Sequence, residues 1–152
     1  MRRIILTLLL LVLSITVAYA YDETITVPSE KPEGVVLTLP EGTYNAEAAG
    51  GAIALFFPIN PNYSWLYGLA IGTDCKGSQD EPNIGTLYVE PAPKATSQAD
   101  AEKIILQDLK DGRAGTKLEF TLKEKKDVRF WVSDFDYSDN MGSERVRVYS
   151  IK

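Results

Sequence analysis

Apolar and polar residues change places at every step along most of this chain, and a two-residue period of that kind belongs to β-strands with one buried face. Val35, Leu37 and Leu39 alternate with Val36 and Thr38. Leu118, Phe120 and Leu122 alternate with Lys117, Glu119, Thr121 and Lys123. Val128, Phe130 and Val132 alternate with Arg129, Trp131 and Ser133, and Val146 and Val148 with Arg145, Arg147 and Tyr149. Weaker strand signals cover Thr24–Val27, Tyr44–Ala48, Ala52–Phe57, Leu66–Ile71 and Thr86–Val89. Turn residues separate them at Pro40-Glu41-Gly42, Gly50-Gly51, Pro58 to Pro61 and Asp111-Gly112. One segment departs from the pattern. Ser97 reads as the cap of a helix from about Gln98 to Lys110, with Ala101, Ile105 and Leu109 on one face and Ile104 beside them. The expected class is all-β. It is a β-sandwich or jelly roll of about eight or nine short strands with one inserted helix.

The N-terminus reads as a leader. Met1-Arg2-Arg3 is a positive start, Ile4–Val17 is apolar apart from Thr7, Ser14 and Thr16, and Ala18-Tyr19-Ala20 is a small-residue cleavage signal. Residues 1–20 are therefore expected to be a cleaved secretory signal peptide, and 21–152 a single β-sandwich domain. The expected location is secreted or periplasmic. No second apolar run is long enough to span a bilayer, so no stable membrane insertion is expected after cleavage. Arg2 and Arg3 leave with the leader, which takes the formal net charge from −5 to −7. An acidic surface repels phosphate backbones, so nucleic acid is not an expected partner.

Several chemistries are excluded by what the chain lacks. It has no His, so there is no imidazole base, no His-activated nucleophile and no His-ligated zinc. With one Cys there is neither an internal disulfide nor a Cys-rich zinc site. Cys75 is either buried and inert or a handle for an intermolecular bond. Two carboxylates can hydrolyse a glycoside, but such pairs face each other across a cleft, whereas Asp134 and Asp136 are alternate residues of one loop. The chain is not expected to be an enzyme.

The most informative segment is Val132-Ser133-Asp134-Phe135-Asp136-Tyr137-Ser138-Asp139-Asn140-Met141-Gly142. It joins two strand signals, so it is a loop at the end of a sheet. Calcium takes six to eight oxygen ligands, and three carboxylates with an amide in one short loop offer such oxygens. The pattern is not an EF-hand. With Asp134 as position one, Asp139 stands where Gly is required and Arg145 where the bidentate Glu is required. The other reading is a solvated polar turn, since Asp and Asn bond readily to their own backbone.

This loop, set between hydrophobic strands, resembles the acidic loop of calcium-dependent galactose-binding bacterial lectins, soluble galactophilic jelly-roll proteins. Gly34 to Gly42 followed by Ala48-Ala49-Gly50-Gly51 is similar to that family's opening, Leu69-Ala70-Ile71-Gly72 to its central strand, and Gly115 to Leu122 takes the place of the next. The resemblance implies a small sandwich with calcium at one end. It implies side-chain ligands at Asp134, Asp139 and Asn140, a main-chain carbonyl at Asp136, and a further carbonyl near Ala54. In that family vicinal sugar hydroxyls complete the calcium shell. The family also places a His beside the sugar, which this chain lacks. The segment 73–112, with Asp74, Asp80, Glu81 and the helix, has no counterpart there and reads as an insertion.

Trp65, Tyr67 and Trp131, together with Tyr63, are candidate sugar-stacking rings, or else core and interface anchors. Asn62-Tyr63-Ser64 fits a glycosylation sequon. Two functions follow as expectations. The first is a secreted calcium-binding sandwich that recognises carbohydrate or a glycoconjugate of galactose type at or near the ion. The second is a calcium-braced structural or protein-interaction module of the cell envelope that binds no sugar.

Overall fold

Alternation does set the architecture. A computed structural model describes residues 20–54, 65–75, 80–89, 95 and 97–151. Residues 1–19 of the expected leader, Tyr63, the sequon and the turn from Pro58 to Pro61 lie outside the described residues. Eight strands form: β1 (Asp22–Pro28), β2 (Val35–Leu39), β3 (Gly42–Ala54), β4 (Trp65–Thr73), β5 (Gly85–Val89), β6 (Lys117–Leu122), β7 (Lys126–Trp131) and β8 (Met141–Ile151). Every strand pairing is antiparallel. The chain of neighbours runs β1-β8-β3-β4-β7-β2, with β6 beside β3 and β5 beside β4. This gives two layers, β1-β8-β3-β6 and β2-β7-β4-β5. They are hinged where Ile53 and Ala54 of β3 pair with Leu66 and Trp65 of β4. The sheet nearly closes into a barrel, and the all-β sandwich-like class holds.

The two inner faces form the core. Val27, Leu39, Tyr44, Leu69, Ile71, Leu87, Phe130, Val146 and Val148 are buried there. Their strand neighbours Thr38, Thr86, Arg145 and Arg147 are exposed, as a one-sided sheet requires. Burying large apolar side chains in this way contributes about 1.5–3 kcal/mol each.

The strand signals at Tyr44–Ala48 and Ala52–Phe57 belong, as far as Ala54, to one strand, which corrects the expectation of a turn at Gly50-Gly51. β3 crosses that point through a β-bulge, where the register against β8 shifts between Ala48 and Gly50. The two glycines take positive φ, and a Cβ on Gly51 would overlap the Ser143 carbonyl of β8. Sequence marks such glycines as breakers, but here they allow one long strand to bend from one layer toward the other.

The helix α1 (Gln98–Lys110) has the expected bounds. Ser97 is its N-cap, and its hydroxyl accepts from the Asp100 N–H at 3.2 Å. Ala101 and Ile105 are fully buried against β3, and Glu102 pairs with Arg145 of β8. β5 and α1 both fall in the 73–112 segment, and β5 is an integral strand of the second layer. Among the described residues no helix is long and apolar enough to cross a membrane.

A small second layer lies behind β7. The Arg129 guanidinium donates to the carbonyls of Pro32 and Glu33 and stacks over Trp131 with its carbon 4.8 Å from the ring centroid. This fastens the β1–β2 turn over the indole, and both Phe130 and Trp131 are fully buried although they point to opposite faces.

Candidate functional site

β7 ends at Trp131 and β8 begins at Met141, so the acidic loop stands at one end of the sandwich. Its shape is held by its own side chains. The Tyr137 hydroxyl donates to the Val132 carbonyl at 2.5 Å and accepts from the Asp134 N–H at 3.2 Å. Asp134 accepts from the Phe135 N–H at 2.6 Å. Asp136 caps a single 3-10 turn, Tyr137–Asp139, by accepting from the Ser138 N–H at 2.9 Å and the Ser138 hydroxyl at 2.6 Å. Those two bonds hold the Asp136 carboxyl below the usual carboxylate range. Asp139 moves the other way. Loss of water and then the negative charges of Asp136 and Asp134 raise its pKa. Neither Asp136 nor Asp139 draws on a lysine or arginine.

Asn140 is buried. Its amide nitrogen donates to the Ser29 carbonyl at 3.1 Å, and Ser29 returns its hydroxyl to the Gly142 carbonyl at 2.9 Å. Its amide oxygen is buried without any hydrogen-bond partner. The β3–β8 register places Ala54 opposite Met141, one residue after Asn140, and Ala54 is also opposite Trp65. The carbonyl position expected near Ala54 is thus brought to the root of the loop.

The donor set suits a hard cation in its chemistry: three carboxylates in electrostatic contact, an unpartnered buried amide oxygen, and a strand end carrying carbonyls nearby. The carboxylates do not close on one point. Among the described residues no group of three or more acidic side chains is near enough together to hold a metal. The bonds to Phe135 and Ser138 are those of the polar-turn reading.

The aromatic candidates separate. Tyr67 is fully buried, with its hydroxyl donating to the Arg145 carbonyl at 2.7 Å. Trp131 is fully buried under Arg129. Neither presents a ring face to solvent, which corrects their expected place as ligand-stacking rings: both fill space between layers. Trp65 is half-buried and stays beside the loop root, close to Gly142. The exposed rings are ones the alternation did not single out: Phe135, 90% exposed at the loop tip, and Tyr88, 51% exposed on β5. Cys75 is half-buried, its thiol toward the Thr73 carbonyl at 3.3 Å.

One functional group escaped the sequence reading altogether. Glu144 is completely buried at an inward position of β8, opposite Val27 of β1 and Gly51 of β3. One carboxyl oxygen accepts the Gly68 N–H, and the other has no partner. Burial pushes its pKa up to about 8, offset in part by the Gly68 bond. The signal was present in the two-residue step that puts Val148 and Val146 inward and puts Glu144 next in line.

No known protein family, characterised protein or solved structure matches the chain.

Proposed function

We propose that this protein is a secreted or periplasmic calcium-binding sandwich that recognises carbohydrate of galactose type at or near the ion, without catalysing a reaction. The observation that carries the reading is the pairing of Asn140 and Asp139. Asn140, whose buried amide oxygen has no partner, follows directly in sequence on Asp139, a carboxylate whose pKa is raised by loss of water and then by the charges of Asp136 and Asp134. A cation bound by this loop would give the amide oxygen a partner and offset the charge repulsion at Asp139. Asp134, Asp139 and Asn140 would supply side-chain oxygens, and the Asp136 and Ala54 backbones carbonyl oxygens. Calcium, when bound, offers its remaining positions to neutral oxygens such as vicinal sugar hydroxyls. Trp65 is a half-buried ring beside Gly142 at the loop root.

A second reading, a calcium-braced module that docks a protein, is favoured by Phe135 and by Met141, which is 56% exposed. An apolar side chain at the loop tip fits a protein contact better than a hydroxyl-rich ligand.

The test compares the purified protein with its Asp139→Ala variant, by calorimetric titration with calcium and by retention on galactose beads with and without a chelator. The lectin reading expects calcium binding and chelator-sensitive retention, both lost in the variant. Calcium binding with no retention on any of a panel of sugars moves the assignment to the protein-docking module. Unchanged calcium binding in the variant overturns the loop assignment itself.

A further inference from the structure

The outer face of the second layer breaks the apolar-in, polar-out rule along β4. Leu69 and Ile71 point into the core, so Gly68, Ala70 and Gly72 face outward, and all three are small. They stand between Tyr88 and Thr86 of β5 on one side and Trp131 of β7 on the other, which makes a trough with β4 as its floor. Trp131 fills one end of it. The edge of its indole lies over Gly72, 3.3 Å from where a Cβ there would stand. The other end is a slot of about 280 Å3 at Gly68 and Ala70, walled by Ile53, Leu66, Tyr88 and Val132. Gly68 keeps it open, since a Cβ there would stand 2.9 Å from the Leu66 side chain and 3.6 Å from the Tyr88 ring. None of the described residues that line the slot has a charged side chain, and the polar ones are Thr86, Tyr88 and Ser133, each with a hydroxyl.

We propose that this slot binds a small, flat, uncharged aromatic molecule of two fused rings, laid over Gly68 and Ala70 against Tyr88. Three observations select that occupant. The first is size. A cavity of about 150 Å3 admits a benzene ring, so a slot of about 280 Å3 takes two fused rings. The second is polarity. A charged ligand would give up water here for apolar walls, whereas a neutral ring loses nothing and can turn one polar edge to a hydroxyl. The third is shape. The fold itself lays an indole on the Gly72 end of this trough, and a flat ring can approach the strand at Gly68 in the same way because no Cβ stands between them. Tyr88, 51% exposed, then offers its ring to the ligand edge to face. The slot takes none of its lining from Asp134, Asp136, Asp139 or Asn140, so this site goes beyond the calcium and carbohydrate reading and does not rest on it.

The probe is indole, with indole-3-carboxylate as its charged counterpart. Binding is read from the amide shifts of Gly68, Ala70 and Tyr88 in a nuclear magnetic resonance titration. The buffer contains a chelator, so failure here and failure of the calcium reading are separate results. Indole is expected to bind saturably, with a dissociation constant on the order of 1 mM or below, as suits a ligand of its size. The carboxylate is expected to bind at least about tenfold more weakly, because burying its charge costs more than its ring gains. Two substitutions should each abolish the shifts. Gly68→Val fills the floor, and Gly68 lacks the positive φ that would make a side chain strained there. Thr86→Phe covers the slot from an exposed position opposite Ala70 and leaves the core untouched, which keeps the test decisive if Gly68→Val disturbs the sheet. No saturable shift, shifts centred away from these three residues, equal affinity for the carboxylate, or binding that survives Thr86→Phe would overturn the proposal.

Discussion

Replacing Glu144 by Gln should flatten the dependence of stability on pH. In the folded chain the Glu144 carboxyl keeps its proton up to about pH 8, because burial disfavours the anion, while the unfolded carboxyl releases it near its ordinary value of 4.5. A group whose folded pKa is raised contributes fully below the unfolded value, and that contribution is lost as pH rises through the folded one. The unfolded chain ionises first, so unfolding becomes easier at each step from pH 4.5 to 8. At about 1.4 kcal/mol per unit, the cost is roughly 1 kcal/mol at pH 5, roughly 3 at pH 7 and roughly 5 at pH 9. Gln has nearly the same shape and cannot ionise, so the variant lacks this slope. Groups shifted the other way, such as Asp22 beside Arg147 and Asp136 beside Ser138, lose their contribution as pH falls. They act equally in both proteins and cancel in the difference. The assay is urea unfolding of both proteins at half-unit steps from pH 5 to 9. Expected is a difference in unfolding free energy that moves by about 4 kcal/mol in favour of the variant across that range. Parallel curves, with a difference independent of pH, would refute the reasoning, because they would mean that Glu144 ionises in the folded state as it does in water.

Three further substitutions probe the frame. Ser97→Ala removes the hydroxyl that caps α1 and should cost about 1 kcal/mol by urea unfolding, whereas Ser97→Asp should recover most of it. Ile105→Ala opens a cavity between α1 and β3 and should cost about 2–5 kcal/mol in the same assay. Arg129→Lys cannot reach both the Pro32 and Glu33 carbonyls, nor stack flat on Trp131. It should cost about 1–3 kcal/mol and expose the indole to a fluorescence quencher.

Much of the frame was legible because period-two patterning encodes burial directly. Val35–Leu39, Lys117–Leu122 and Val128–Trp131 alternate cleanly and became strands, and the Ser97 cap with a helical run set α1 within its observed bounds. β3 was misread because Gly50 and Gly51 carry two meanings, turn or bulge. Only the pairing with β8, about ninety residues away, distinguishes them. Trp131 defeated a two-layer picture: its outward position is covered by a turn that Arg129 ties down, a contact between residues 96 apart in sequence. The loop carboxylates were identifiable as a group, but not that Asp136 would bond to Ser138 or that Asn140 would face Ser29. Short polar side chains choose among several nearby backbone partners, and that choice depends on the packed surroundings. Glu144 went unremarked because polar residues are expected outside a strand pattern.

Thermal unfolding of the purified protein, first with a chelator, then with saturating calcium and then with calcium and galactose, decides whether the acidic loop holds calcium and a sugar on it. A ligand that binds only the folded chain at about a hundred times its dissociation constant adds about 2.7 kcal/mol, which for a domain of this size raises Tm by several degrees. Calcium should produce such a rise, and galactose a further one. A melting temperature unmoved by saturating calcium would contradict it and leave the Asp134–Asn140 segment a self-bonded polar turn.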